Sequence, residues 1–361
     1  PLTVTIDDLG FKMSYRTYKS PHLIDDYKNI VFIGKKIKTR LTCAFVVYSF
    51  DKHNIVSKYP TIHPAPPDFD IHEKKYKKEK IIEFLKKNSA YIEFGLHGVS
   101  HTMVDSQNCK NEPTVNPGEW YDIVNLKPWN PIAIKEHITA LFEILNQYNL
   151  GFPQSMIPPQ HGYYYNPKDE YSTAAMLKPY GLKYVTTDFF AIAHLLPKEG
   201  IEHGVLLTHR HSKSISHDAV GEVLQNWEFP TTSVMTHFAN FYAENPKENR
   251  LIAKKWIEWF NRVKMLPERY VPKNNAQLNS QWLYCKYCRI EYDGGVIIDN
   301  TQMPKEAYEH ELLGNMVLKL KLKDGEHISK ADLNGENIAC YYEDKGYGYI
   351  CLLYTSPSPR D

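Results

Sequence analysis

The chain opens PLTVTIDDLGFK, residues 1–12, and the fold turns on how this stretch is read. Leu2, Val4 and Ile6 alternate with other residues as in a strand, and the run stops at two adjacent carboxylates, Asp7 and Asp8, followed by Leu9 and Gly10. Like charges side by side at the end of a buried strand repel each other and resist ionisation. A solvated turn is the default reading of any such pair, and Asp25 and Asp26 in LIDDYK form one with no special context. The other reading places something cationic beside Asp7 and Asp8, so the later strand ends become informative.

Working outward, strand-like and helix-like segments alternate. LTCAFVVYSF (41–50) follows the opening strand, and the charged amphipathic stretch EKKYKKEKIIEFLKKN (73–88) runs into AYIEFGL (90–96). NPIAIKEHITALFEILNQYNL (130–150) keeps apolar residues at helical spacing and precedes SMIPP. LKYVTTD, GVLLTH and TSVMTH each read as an apolar strand ending in a polar residue, and ENRLIAKKWIEWFNRVKM (248–265) closes the series as an amphipathic helix. This alternation predicts a mostly parallel α/β fold. In a parallel barrel the carboxyl ends of the strands share one mouth, which would bring Asp7, Asp8, His97, Pro159 to His161, Asp188, His209 and His237 together. YPTIHPAPPDFD (59–70) reads as a Pro-rich rim loop.

From about residue 283 the pattern changes to period-two alternation broken by turn dipeptides such as Asp293-Gly294 and Asp324-Gly325, a small β-rich unit. The predicted organisation is therefore a catalytic barrel over 1–282 and an incomplete β-rich accessory domain over 283–350. The closing string CLLYTSPSPRD (351–361) is what one reading frame of a common sequencing adapter encodes, and it is set apart from fold reasoning. The absence of an initiator Met reads as a piece of a longer protein.

A hydrophobic content of 42% with 24% charged residues allows an ordinary core, and a net charge of +1 gives no electrostatic case for a nucleic-acid partner. No apolar run reaches the ~20 residues that span a bilayer; membrane association and oligomeric state stay open. Apart from Cys351 there are five cysteines, too few for a disulfide scaffold, and Cys285 and Cys288 in CKYC form a lone pair without a second at zinc-site spacing. Most of the 26 tyrosines are read as packing, as are Trp256 and Trp259, which fall at helical spacing with Ile252.

Chemistry enters with FGLHGVSHTM (94–103), where His97 and His101 stand four apart directly after a strand. With 16 histidines such a pair also arises by chance, and two loop histidines with ordinary partners are the plainer reading. A tight turn would set both rings on one side. Two imidazoles and one carboxylate make a three-ligand site with positions left for water and substrate, the arrangement of a catalytic metal. A neighbouring acid that does not ligate can then serve as base, which would explain why two acids tolerate adjacency.

A strand ending in Asp-Asp, then a strand ending in His-x-x-x-His, then a Pro-containing loop, then a late strand ending in His resembles the polysaccharide deacetylases. That resemblance implies a distorted (β/α)7-type barrel and a divalent metal, Zn2+ foremost, held by Asp8, His97 and His101. It further implies Asp7 as general base and His237 as general acid. IPPQHGYYYNP (157–167), GVLLTHRHSKSISHD (204–218), VMTHFANF (234–241) and LPERYVPKNNAQLNSQWLYC (266–285) are similar to consecutive segments of the N-deacetylase domain of heparan sulfate N-deacetylase/N-sulfotransferases. By this likeness His161, His209 and Asn240 join His237 at the substrate, with Thr236 as strand-end support. Gln160, His161 and Tyr163 lie in the loop read as facing substrate, and Asp188 falls where an acid tunes the catalytic His.

The sequence departs from the commoner deacetylases at PPQHG (158–162), which has no Arg where they carry one; His161 or Gln160 is expected to take its place against substrate or Asp7. The long interval between Asp8 and His97 suggests an inserted helix or rim loop. His22, His53, His63, His137, His310 and His327 are read as ordinary surface or loop residues. The implied reaction removes N-acetyl groups from hexosamine residues of a polysaccharide, a substrate met in extracellular, envelope or lumenal settings. The alternatives are an O-acetyl esterase or small-glycan deacylase on the same residues, and a glycan-binding protein without activity.

Overall fold

In the computed structural model the described residues are 1–10, 24–62, 78–105, 114–212, 215–216, 219–292, 296–333, 336–337 and 341–352. The first part of the 73–88 stretch, most of the Pro-rich 59–70 segment, His22, His63, the Asp293-Gly294 turn and residues 353–361 lie outside them.

The expected α/β barrel is present. Strands β1 (Thr3–Leu9), β2 (Leu41–Phe45), β3 (Ile92–Leu96), β6 (Ser155–Met156), β7 (Tyr184–Thr187), β9 (Val205–His211) and β10 (Ser233–His237) run parallel in that spatial order. The ring closes through Ser233 opposite Arg210 and Val234 opposite His211, making a (β/α)7 barrel. Its distortion concentrates at the two-residue β6, which meets β3 only through Leu96 and Met156. A hairpin of β4 (Met103–Asp105) and β5 (Thr114–Asn116) follows β3, and β8 (Gly200–Glu202) adds antiparallel to β9.

All seven residues of β1 are buried, because one face of a barrel strand fills the interior and the other meets the helices. That explains why so short a strand carries Val4, Ile6 and Leu9 into the core, with Leu2 just before it. The outer layer includes α1 (Ile24–Ile37), α2 (Lys78–Lys87), α3 (Pro131–Asn146), α4 (Thr173–Leu177) and α5 (Asn249–Met265). Trp256 stacks on Phe241 at 4.4 Å between centroids and donates its indole N–H to Asn240 O, so this tryptophan fixes the loop after β10 to α5.

The expected boundary at 282/283 falls inside α6 (Asn275–Tyr287). Trp282, Leu283 and Tyr284 share a core with Tyr184 and Leu206 of the barrel and with Met303, Leu312 and Met316 beyond it. The later segment holds β11 (Arg289–Tyr292) paired with β12 (Val296–Asp299), α7 (Lys305–Glu309), and β13 (Met316–Lys321). β14 (Asp332–Leu333) pairs with β15 (Glu336–Asn337), and β16 (Tyr341–Asp344) and β13 both pair with β17 (Tyr347–Leu352). β17 continues through Cys351 and Leu352, opposite Val317 and Met316, and Cys351 is buried.

Candidate metal and catalytic centre

A regular strand would send Asp7 and Asp8 to opposite faces. The register of β1 against β2 shifts between Ile6 and Leu9, and Asp8 takes a left-handed backbone at φ 64°. This bulge re-aims the second acid so that both carboxylates serve one site. Asp8 then lies with Oδ1 3.2 Å from His97 Nε2 and 3.7 Å from His101 Nε2, and Oδ2 3.9 Å from His237 Nε2.

Asp7 answers to a different partner. Arg210 of β9 donates from Nη1 to Asp7 Oδ1 at 2.9 Å and lies with Nη2 2.8 Å from Oδ2, a fork-to-fork pair buried inside the barrel. Burial alone would raise the Asp7 pKa, but the Arg210 charge, then His97 and His237, outweigh it and hold the carboxyl below its ordinary value. Asp8 is likewise held down against burial by the hydrogen bond and charges of His97, His237 and His101. Each acid therefore has its own cationic or donor partners, and that resolves the repulsion.

The ligand atoms of Asp8, His97 and His101 lie within 4.8 Å of one another, the one such group among the described residues. His97 Nδ1 sits 2.5 Å from Ile157 O, which fixes that nitrogen as the proton bearer and turns Nε2 to Asp8. Burial lowers the His97 pKa, yet Asp8 and Asp7 raise it further, for a net rise. His101 is pushed down to about 4, chiefly by burial against an opposing Asp8, so its ring is neutral and able to ligate at neutral pH. One carboxylate and two imidazoles fit a divalent transition ion such as zinc.

The turn that carries His101 is unusual. Gly98 has φ +105°, His101 has φ 67°, and the Glu119 carboxylate accepts the backbone N–H groups of Val99, Ser100 and His101 at 2.7, 3.3 and 2.9 Å. A Cβ on Gly98 would stand 2.1 Å from Glu119 Oε2. Gly98→Ala is therefore expected to destabilise the protein by roughly 2–4 kcal/mol through combined strain and displacement, and to weaken cation binding. Thermal denaturation and metal titration of the variant check both effects.

The remaining expected residues divide. His161 is brought in: its Nδ1 lies 3.3 Å from Arg210 Nη2, and burial followed by the Arg210 charge lowers its pKa to about 3. His237 ends β10, and burial lowers its pKa against Asp8 and Asp7. Asp188 and His209 form a neighbouring pair, with His209 Nδ1 3.9 Å from Asp188 Oδ1 and Phe189 N donating to Nδ1 at 3.1 Å; Ser212 also bonds Asp188. Gln160 is exposed at φ 50°.

Two expected substrate contacts face inward instead. Tyr163 is fully buried and donates to Glu202 Oε2 at 2.5 Å. Asn240 is fully buried, accepting from His237 N at 2.8 Å and donating to Ala219 O at 2.9 Å. Both bonds satisfy polar groups inside the fold, so Asn240 positions His237 rather than touching a ligand. Thr236 Oγ1 donates to Thr5 O at 2.8 Å and ties β10 to β1.

Sequence reasoning missed two features. Arg210 occupies the place expected of His161 or Gln160 against Asp7; its signal was a lone Arg in THRH, separated by strand alternation from His209 and His211. His137, read as a surface or loop residue, is fully buried on α3 with Nδ1 2.8 Å from Glu119 Oε1, because the inner stripe of the helix includes it alongside Ile134, Ile138 and Leu141. That stripe was legible at helical spacing.

No protein-family model matches the sequence, and no curated protein matches it. Among solved structures, the chain overlaps a family 4 carbohydrate esterase from Streptomyces lividans in complex with acetate at TM-score 0.33 and 8% identity, over 72% of this chain and 86% of that one. A family 4 carbohydrate esterase from Bacillus anthracis overlaps at TM-score 0.31 and 11% identity, over 72% and 75%. A 4-alpha-glucanotransferase from Thermococcus litoralis overlaps at 0.36 and 12%, over 76% and 38%. Overlaps this partial leave the function to the side chains at the barrel mouth.

Proposed function

We propose that the protein is a metal-dependent carbohydrate deacetylase of the polysaccharide deacetylase kind, acting on N-acetylhexosamine residues of a polysaccharide. The observation that carries this reading is the pairing of two differently partnered acids. Asp8 belongs to a three-ligand cluster with His97 and His101, while Asp7 beside it is kept ionised by Arg210. When bound, a cation at Asp8, His97 and His101 supplies Lewis acidity. Asp7, an ionised acceptor, takes the proton of the attacking water. Arg210 fixes the orientation of that carboxylate and keeps it charged. His237, held by the Asn240 hydrogen bond at the opposite side of Asp8, carries a proton to the departing amine nitrogen. A backbone N–H of the Pro159 to Tyr163 loop is assigned to the developing oxyanion; those of His161 and Gly162 already donate to Pro158 O and Pro159 O within the loop.

The likeness of the four segments between residues 157 and 285 to heparan sulfate N-deacetylase segments makes N-acetylheparosan a leading substrate. The test measures acetate release from N-acetylheparosan, chitin oligosaccharides and an O-acetylated glycan, with and without prior chelation. Chelator-sensitive release from an N-acetylated polymer is expected. Release from the O-acetylated glycan alone would make the protein an esterase. Retention of polymer with no release by folded, metal-loaded protein would make it a binding protein.

A further inference from the structure

Beneath the candidate metal turn lies a buried acid–imidazole pair that the proposed chemistry does not use. Glu119 and His137 have fully buried side chains, 2.8 Å apart between Oε1 and Nδ1. A carboxyl group offers about four lone-pair positions, and at Glu119 three backbone N–H groups and the His137 ring converge on them. Oε1 accepts Val99 N and meets His137 Nδ1, and Oε2 accepts Ser100 N and His101 N.

The His137 ring has the complementary property. Its Nδ1 faces the Glu119 carboxylate and its Nε2 lies 3.2 Å from Thr61 O, another acceptor. Each contact holds one hydrogen: Nε2 donates to Thr61 O, and one proton lies between Nδ1 and Glu119 Oε1. Trp120 packs edge-on to this ring at 6.4 Å between centroids, within the buried core. Buried polar groups persist only when hydrogen-bonded, and each member here supplies what the other lacks.

We infer that Glu119 and His137 form a hydrogen-bonded carboxyl–imidazole pair that positions His101 for the bound cation, by gripping three successive N–H groups of the turn that presents its ring. The pair is a positioning device, since neither member reaches the reacting atoms. It couples α3, through His137, to a turn whose left-handed residues Gly98 and His101 would otherwise relax. This inference rests on Asp8, His97 and His101 being a cation site.

Glu119→Gln is the discriminating change because it keeps shape and loses chemistry. Whichever way the amide is turned, its NH2 group meets at least one backbone N–H donor, either those of Ser100 and His101 or that of Val99. The experiment titrates cobalt(II) into the wild-type chain and E119Q, recording affinity and visible absorption. The expected result is about 10–100-fold weaker cobalt binding with an altered absorption spectrum in E119Q. General loss of stability would lower the melting temperature without changing the spectrum of the bound ion. Wild-type affinity and spectrum in E119Q would overturn the inference. If E119Q does not fold, His137→Gln carries the same comparison, since it keeps a donor toward Glu119 but removes the ring that ties the acid to α3. A wild-type chain that binds no cobalt would instead overturn the cation reading itself, a failure distinct from E119Q matching a wild type that binds.

Discussion

Asp7→Asn is expected to keep the cation and lose turnover by about 10²–10⁴-fold, the range a general base contributes. Asp8→Asn, one residue away, is expected to lose the cation itself. The contrast follows from the bulge at the end of β1, which gives the two acids different neighbours: Asp8 faces three imidazoles, Asp7 a guanidinium. Metal content by elemental analysis, measured beside acetate release, separates the two variants. Full activity in Asp7→Asn would sink the base assignment, and retained stoichiometric metal in Asp8→Asn would sink the ligand assignment.

The second large effect is expected at Arg210. Its side chain is buried, and it contacts Asp7 through both terminal nitrogens, with Thr5 Oγ1 at 3.2 Å from Nη1. Arg210→Met would leave the Asp7 carboxylate buried without its cation, a loss of about 3–5 kcal/mol, because the desolvation cost of the remaining charge is no longer offset. Turnover should fall as well, since burial then favours the protonated acid. The double variant with Asp7→Asn removes both charges and should be less destabilised than the sum of the singles. Chemical denaturation of the four proteins checks this. Strictly additive losses would mean that the contact contributes nothing to stability.

Much of this protein was legible before any coordinates. The alternation of strand and helix segments determined a parallel barrel, because apolar runs of period two need pairing and amphipathic runs of period 3.6 need a surface to cover. In such a barrel every strand ends on the same side, so polar residues that punctuate strand ends at Asp7, Asp8, His97, His161 and His237 were already candidates for one mouth. What sequence spacing does not contain is the identity of a neighbour across the ring. Arg210 lies 203 residues from Asp7 and meets it only because β9 and β10 close the barrel beside β1. Tyr163 and Asn240 sit in segments that face the mouth, yet their side chains turn inward, since Glu202 and the N–H of His237 are polar groups that the fold must satisfy. His137 follows the same logic: a helical stripe marks it as inward, but only the placement of the 116–120 segment beneath the His101 turn makes it the partner of a buried acid. Local pattern decides which element a side chain belongs to and which face it takes. Chain closure and the need to pair every buried charge decide what it touches.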